Sequence, residues 1–103
     1  MPQSAYYTFR EPTKDLTYSA QLHEWADLHR VKLNWIDSGV QMNGIAEWST
    51  YPCIKGHEYP DFVALGKSLR DARQLASQLI INSPGKLEFA RTRPAQPTIH
   101  QAR

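Results

Sequence analysis

Lys67, Arg70 and Arg73 recur at steps of three in the segment GKSLRDARQLASQLI, residues 66–80. Cations at that spacing share one face of a helix. They also fall in its first turns, where unpartnered N–H groups and the macrodipole already make the end positive. Crowding them there costs stability unless an anion answers, and phosphate is the usual guest at such a place. Arginine suits phosphate further, because its planar fork donates two hydrogen bonds at once. The plain alternative is a solvated helix face carrying long side chains.

Other chemistry is hard to assemble from this chain. His23, His29, His57 and His100 are scattered, and His23 and His29 lie six apart. A helix brings i and i+4 together, so the spacing offers no metal site, and His29 falls at the edge of a core. Cys53 is the single cysteine. It has no His or acid placed beside it, which leaves a thiol nucleophile unsupported. There is no Gly-rich phosphate loop and no paired-carboxylate motif. A one-sheet domain of this size leaves little room for a pocket. The expectation is a protein that is not an enzyme, with no catalytic residues, no cofactor and no metal.

The chain of 103 residues suits one domain with a modest core, at 41% hydrophobic content. Lys and Arg number 12 against 10 acids, for a net charge of +2, so any basic surface must be local. A lone cysteine favours a reducing compartment. With no basic-then-apolar leader and no apolar stretch long enough to span a bilayer, the expected setting is intracellular, cytoplasmic or nuclear, without a membrane.

The elements that must position the basic stripe follow from periodicity. Residues 1–15 read as an N-terminal arm, with Tyr6, Tyr7 and Phe9 packed on the domain. In DLTYSAQLHEWADLHR, Thr17 can cap a helix that places Tyr18, Leu22, Trp25, Ala26 and His29 on one face. LNWIDS, residues 33–38, is a strand with Trp35 and Asp37 opposite Asn34, Ile36 and Ser38. GVQMNG is a loop. AEWSTYPCI alternates Trp48, Thr50, Pro52 and Ile54 with Ser49, Tyr51 and Cys53. Residues 58–65 form a third strand, which Pro60 marks as an edge or a bulge. Ser68 with Asp71 opens the last helix as a capping-box variant. Leu69, Ala72, Leu75, Ala76 and Leu79 form its apolar stripe, leaving the basic residues outward. NSPG ends it. Residues 84–103 are rich in Pro, Gln and Arg and read as a flexible, mildly basic tail.

The order is α-β-β-β-α over residues 16–83, an α+β domain. Two helices with single apolar stripes must cover one face of a three-stranded antiparallel sheet. Trp25, Trp48, Ile54, Leu69, Leu75 and Leu79 are its expected core.

Over residues 17–82 this order resembles the double-stranded-RNA-binding domain. LHEWADLHRVKLNWI is similar to that family's first helix and strand, and WSTYPCIKG to its second strand. LGKSLRDARQLASQLI is similar to the family signature G-x-S-K-K-x-A-K-x-x-A-A. Gly66, Ser68, Ala72 and Ala76 stand at matching positions, and the signature lysines correspond to Leu69, Arg70 and Arg73. The chain departs at Leu69, with Lys67 nearby as a partial replacement. GVQMNGIAE lacks the family's G-P-x-H-x-P-like run, and Pro60 and Asp61 look like an insertion in the third strand.

The resemblance implies recognition of duplex RNA by shape, through two minor grooves and the phosphates between them. Lys67, Arg70 and Arg73 would meet the phosphates. Gln21 and Glu24 on the first helix would meet one minor groove. Gln41, Met42 and Asn43 in the first loop would meet the other, amides bonding 2′-hydroxyls as donor or acceptor. A second reading uses the same scaffold for a homodimer or a protein partner, through the sheet or its edge strand. The lost lysine, the altered loop, the low net charge and an exposed Tyr51, Cys53 and Tyr59 would favour it.

Overall fold

The computed structural model describes residues 7–95, apart from the side chain of Met42. The expected α+β layout holds, with one helix, an antiparallel sheet, and then two further helices. Helix α1 spans Tyr18–His29, and the Thr17 hydroxyl caps it by accepting from the Ala20 N–H at 3.1 Å. It ends at Arg30 in the left-handed conformation, φ 57°.

Strands β1 (Leu33–Met42) and β2 (Ile45–Ile54) form a long hairpin in unbroken register, from Leu33 opposite Ile54 to Met42 opposite Ile45. The expected loop over GVQMNG is therefore mostly strand. Asn43 and Gly44 alone make the turn, with φ of 54° and 77°. Two left-handed residues are what a two-residue hairpin turn needs, and Asn-Gly supplies them. Gly39 does not break the strand, because the Trp48 indole lies over it. A Cβ at Gly39 would come 2.7 Å from that ring.

The third strand is split in two. Strand β3 (His57–Glu58) and strand β4 (Ala64–Gly66) both pair with β2, and a 3₁₀ turn over Pro60–Phe62 separates them. Pro60 has no N–H to give a ladder, so the chain leaves the sheet there.

Helix α2 spans Leu69–Ile81, and the Ser68 hydroxyl accepts from the Asp71 N–H at 3.1 Å. Its buried face differs from the expected stripe. Ala72, Ala76, Ser77 and Ile80 are buried, Leu69 is half-buried, and Leu75 and Leu79 are each 45% exposed. The alanines allow the closest approach to the sheet and so set the rotation of the helix. A Cβ on Gly66 would come 2.7 Å from the Ala72 nitrogen, which shows how tightly the helix start sits on β4. Leu75 and Leu79 overhang that short strand and border a groove with Ala64, Gln78 and Asn82.

The expected tail is folded in part. Helix α3 runs over Lys86–Thr92 and buries Leu87 and Ala90. The Lys55 ammonium donates to the Arg91 carbonyl at 3.0 Å, the His57 ring meets the Pro94 carbonyl at 2.8 Å, and Arg93 donates to the Tyr59 hydroxyl at 3.4 Å. Composition alone missed two apolar positions, Leu87 and Ala90, that need only a short helix to bury them.

The core is Leu22, Trp25, Ala26, Ile54, Tyr59, Ile80, Leu87 and Ala90, with Tyr7 and Phe9 of the arm packed against it. Tyr6 lies outside the described residues. The core thus sits toward α3, and Trp48, expected at its centre, is half-buried. Cys53 and Tyr59, expected exposed, are buried, and Tyr51 is half-buried. Among the described residues no helix is long and apolar enough to cross a membrane.

Candidate nucleic-acid interface

The start of α2 presents Lys67 and Arg70 exposed. Among the described residues neither side chain makes an ion pair or a hydrogen bond. Lys67 borders a recess against the hairpin, lined also by Val40, Ile45, Ala46 and Glu47. Arg70 borders a second recess with Thr17, Ser19, Asp71, Arg73 and Gln74. The Ser19 N–H donates to the Gln74 side chain at 3.1 Å, which ties the starts of the two helices together. The surface therefore runs from the hairpin, past Lys67 and Arg70, to the beginning of α1.

Arg73 is committed elsewhere. Its guanidinium forms an ion pair with Asp37 of β1, with Nε 3.4 Å from Oδ1, and lies 5.8 Å from the Trp35 ring centroid. The buried Thr50 hydroxyl donates to the same carboxylate at 2.7 Å. Burial pushes Asp37 upward, but the hydrogen bonds from Arg73 and Thr50, with the Arg73 charge, outweigh it and hold the carboxyl below its ordinary range. Trp35 in turn donates from Nε1 to the His23 ring at 3.3 Å. This network fastens both helices to β1.

Gln21 does not face outward. It is fully buried, accepts from the Arg10 N–H at 2.9 Å, and donates to the Arg10 carbonyl at 2.9 Å and the Leu16 carbonyl at 3.4 Å. It pins the N-terminal arm, and its amide is spent on backbone groups. Glu24 is exposed and accepts from the Tyr7 hydroxyl at 2.5 Å. Burial first, then that hydrogen bond, pushes the Tyr7 phenol up to about 12. Gln41 is exposed near the hairpin end, and Asn43 is exposed in the turn itself.

The seven anticipated residues thus divide. Lys67, Arg70, Glu24, Gln41 and Asn43 are accessible, Arg73 is ion-paired, and Gln21 is interior. The partnership of Arg73 with Asp37 was hidden by 36 positions of separation, although the alternation of β1 had already put Asp37 beside Trp35 on one face. Burial raises the Cys53 thiol pKa, and among the described residues no group of three His, Cys, Asp or Glu could hold a metal ion. No protein-family model matches the chain, and no curated protein matches it.

Proposed function

We propose that this protein binds A-form duplex RNA without catalysis, in the manner of the double-stranded-RNA-binding domain it resembles. The observation that carries the reading is the pair of exposed, unpartnered cations Lys67 and Arg70 at the capped start of α2. They lie between a protruding hairpin and the beginning of α1. Phosphates would meet Lys67 and Arg70, while Asn43 and Gln41 on one side and Glu24 on the other reach 2′-hydroxyls. Gly66, Ser68, Ala72 and Ala76 serve this indirectly, by seating the helix start closely against the sheet. The setting is intracellular, in cytoplasm or nucleus, in keeping with one buried cysteine. A fluorescence titration tests the reading with an RNA duplex of about 20 base pairs, longer than the ~16 such a domain spans. Preference for this duplex over the DNA duplex of equal sequence is expected. Equal or absent binding would contradict it.

A specific observation also favours protein association. Val63, Leu65, Leu75 and Leu79 are exposed around the edge strand β4, at 46%, 55%, 45% and 45%. Apolar residues gathered beside an open strand edge form a surface suited to a second copy of this chain.

A further inference from the structure

Helix α3 carries an alternation of aromatic and cationic side chains on its outer face. Lys86 Nζ stands 5.9 Å from the Phe62 ring centroid and 5.5 Å from that of Phe89. Arg93 lies 5.1 Å from the same Phe89 ring, and reaches on to the Tyr59 hydroxyl. Phe89 is nevertheless 51% exposed. Lys86 and Phe89 lie one turn apart on α3, Arg93 follows at its C-cap, and this surface flanks the side that buries Leu87 and Ala90. Glu88 is ion-paired with Arg91 on the same helix.

Docking of α3 is accomplished by Leu87 and Ala90, so an exposed phenyl ring between two cations calls for another account. Single-stranded nucleic acid is bound by this combination, in which bases stack on aromatic faces while cations meet the adjoining phosphates. Every base has a π-face, so such a platform is tolerant of sequence. We infer that the outer face of α3 is a binding site for single-stranded RNA, with a base stacked on Phe89 and its flanking phosphates on Lys86 and Arg93. This site is separate from the one proposed above. α3 follows α2 after a short turn, and the 13 residues of α2 put about 20 Å between its C-terminal end and the end that bears Arg70 beside Lys67. The inference does not depend on duplex binding.

The test is fluorescence anisotropy of the full chain with a labelled oligouridylate of about 12 nucleotides, within the usual range of single-strand sites. The unaltered protein should bind. Phe89→Ala and Phe89→Leu should each weaken binding about tenfold, the loss expected for one stacked base. Phe89→Trp should restore binding, and its indole emission should be quenched by the oligonucleotide. Lys67→Ala with Arg70→Ala should leave this affinity unchanged, which separates the site from the duplex surface. Failure of the unaltered protein to bind would overturn the inference, whatever the duplex result. So would Phe89→Leu binding at full strength, or oligoglutamate binding as tightly as oligouridylate.

Discussion

Arg73 of α2 is locked to Asp37 of β1 by an ion pair, and the buried Thr50 hydroxyl supports the carboxylate from below. The third cation of the basic stripe is therefore a strut between helix and sheet. In the proposed duplex-binding mode, the phosphate contacts at the start of α2 would fall to the exposed Lys67 and Arg70. Substituting Arg73 would disturb the fold and the surface together, so it is the wrong residue with which to probe binding.

Asp37→Asn should cost about 1 kcal/mol in urea-unfolding free energy, because the ion pair is lost and the Arg73 guanidinium is left with a neutral acceptor. The pH dependence has a definite sign. The native carboxyl is held below its ordinary value, so its contribution is complete above about pH 4 and is lost as pH falls through the depressed native value. Asp37→Asn should flatten the stability curve in that acidic window and leave its shape near neutrality unchanged. Identical acid profiles for the two proteins would show that the pair contributes nothing.

Gln21→Ala should destabilise the domain by about 1–3 kcal/mol, since it leaves the Arg10 backbone groups without their buried partner. Thermal or urea unfolding reads this directly. Duplex affinity of the folded variant should equal that of the parent. A selective loss of affinity at unchanged stability would return Gln21 to the binding surface.

Gly66→Ala should cost about 1–3 kcal/mol through overpacking, because the new Cβ meets the Ala72 backbone at 2.7 Å. The φ of Gly66 is not left-handed, so the penalty comes from close approach alone. A stable Gly66→Ala protein with unaltered binding would show that α2 can shift away from β4 at no cost.

The layout was legible in the sequence because each element announced itself locally. Thr17 and Ser68 cap where expected, and alternation assigned Thr50, Pro52 and Ile54 to the covered face of β2. Two things were not legible, and a third was overlooked. The rotation of α2 was set by Ala72, Ala76 and Ile80, and periodicity alone could not rank these above Leu75 and Leu79. Gln21 sits on a helix face that is outward until the arm folds over it, a contact made with Arg10 and Leu16. The Asn43-Gly44 turn was legible in principle, because that dipeptide is the strongest short hairpin signal, but the glycine at 39 disguised the continuing strand.

The exposed leucines beside β4 yield a prediction of their own. If they carry self-association, the protein should sediment as a dimer at micromolar concentration. Leu65→Glu with Leu79→Glu should shift it to monomer while leaving its unfolding midpoint nearly unchanged, since both residues are half exposed. An unaltered protein that stays monomeric throughout would remove self-association through this surface.

The most direct test of duplex recognition is the salt dependence of binding for Lys67→Ala with Arg70→Ala, measured against the parent on a duplex of about 20 base pairs. Both residues are exposed and have no partner among the described residues, so the fold should persist. Affinity should fall by about 1–3 kcal/mol for each charged hydrogen bond lost. The slope of log affinity against log salt should shrink by about two, one for each phosphate no longer neutralised. The loss should be equal for duplexes of unrelated sequence, since phosphates carry no base identity. A double variant that binds as tightly as the parent, with the same salt slope, would mean that the basic start of α2 is only a solvated face.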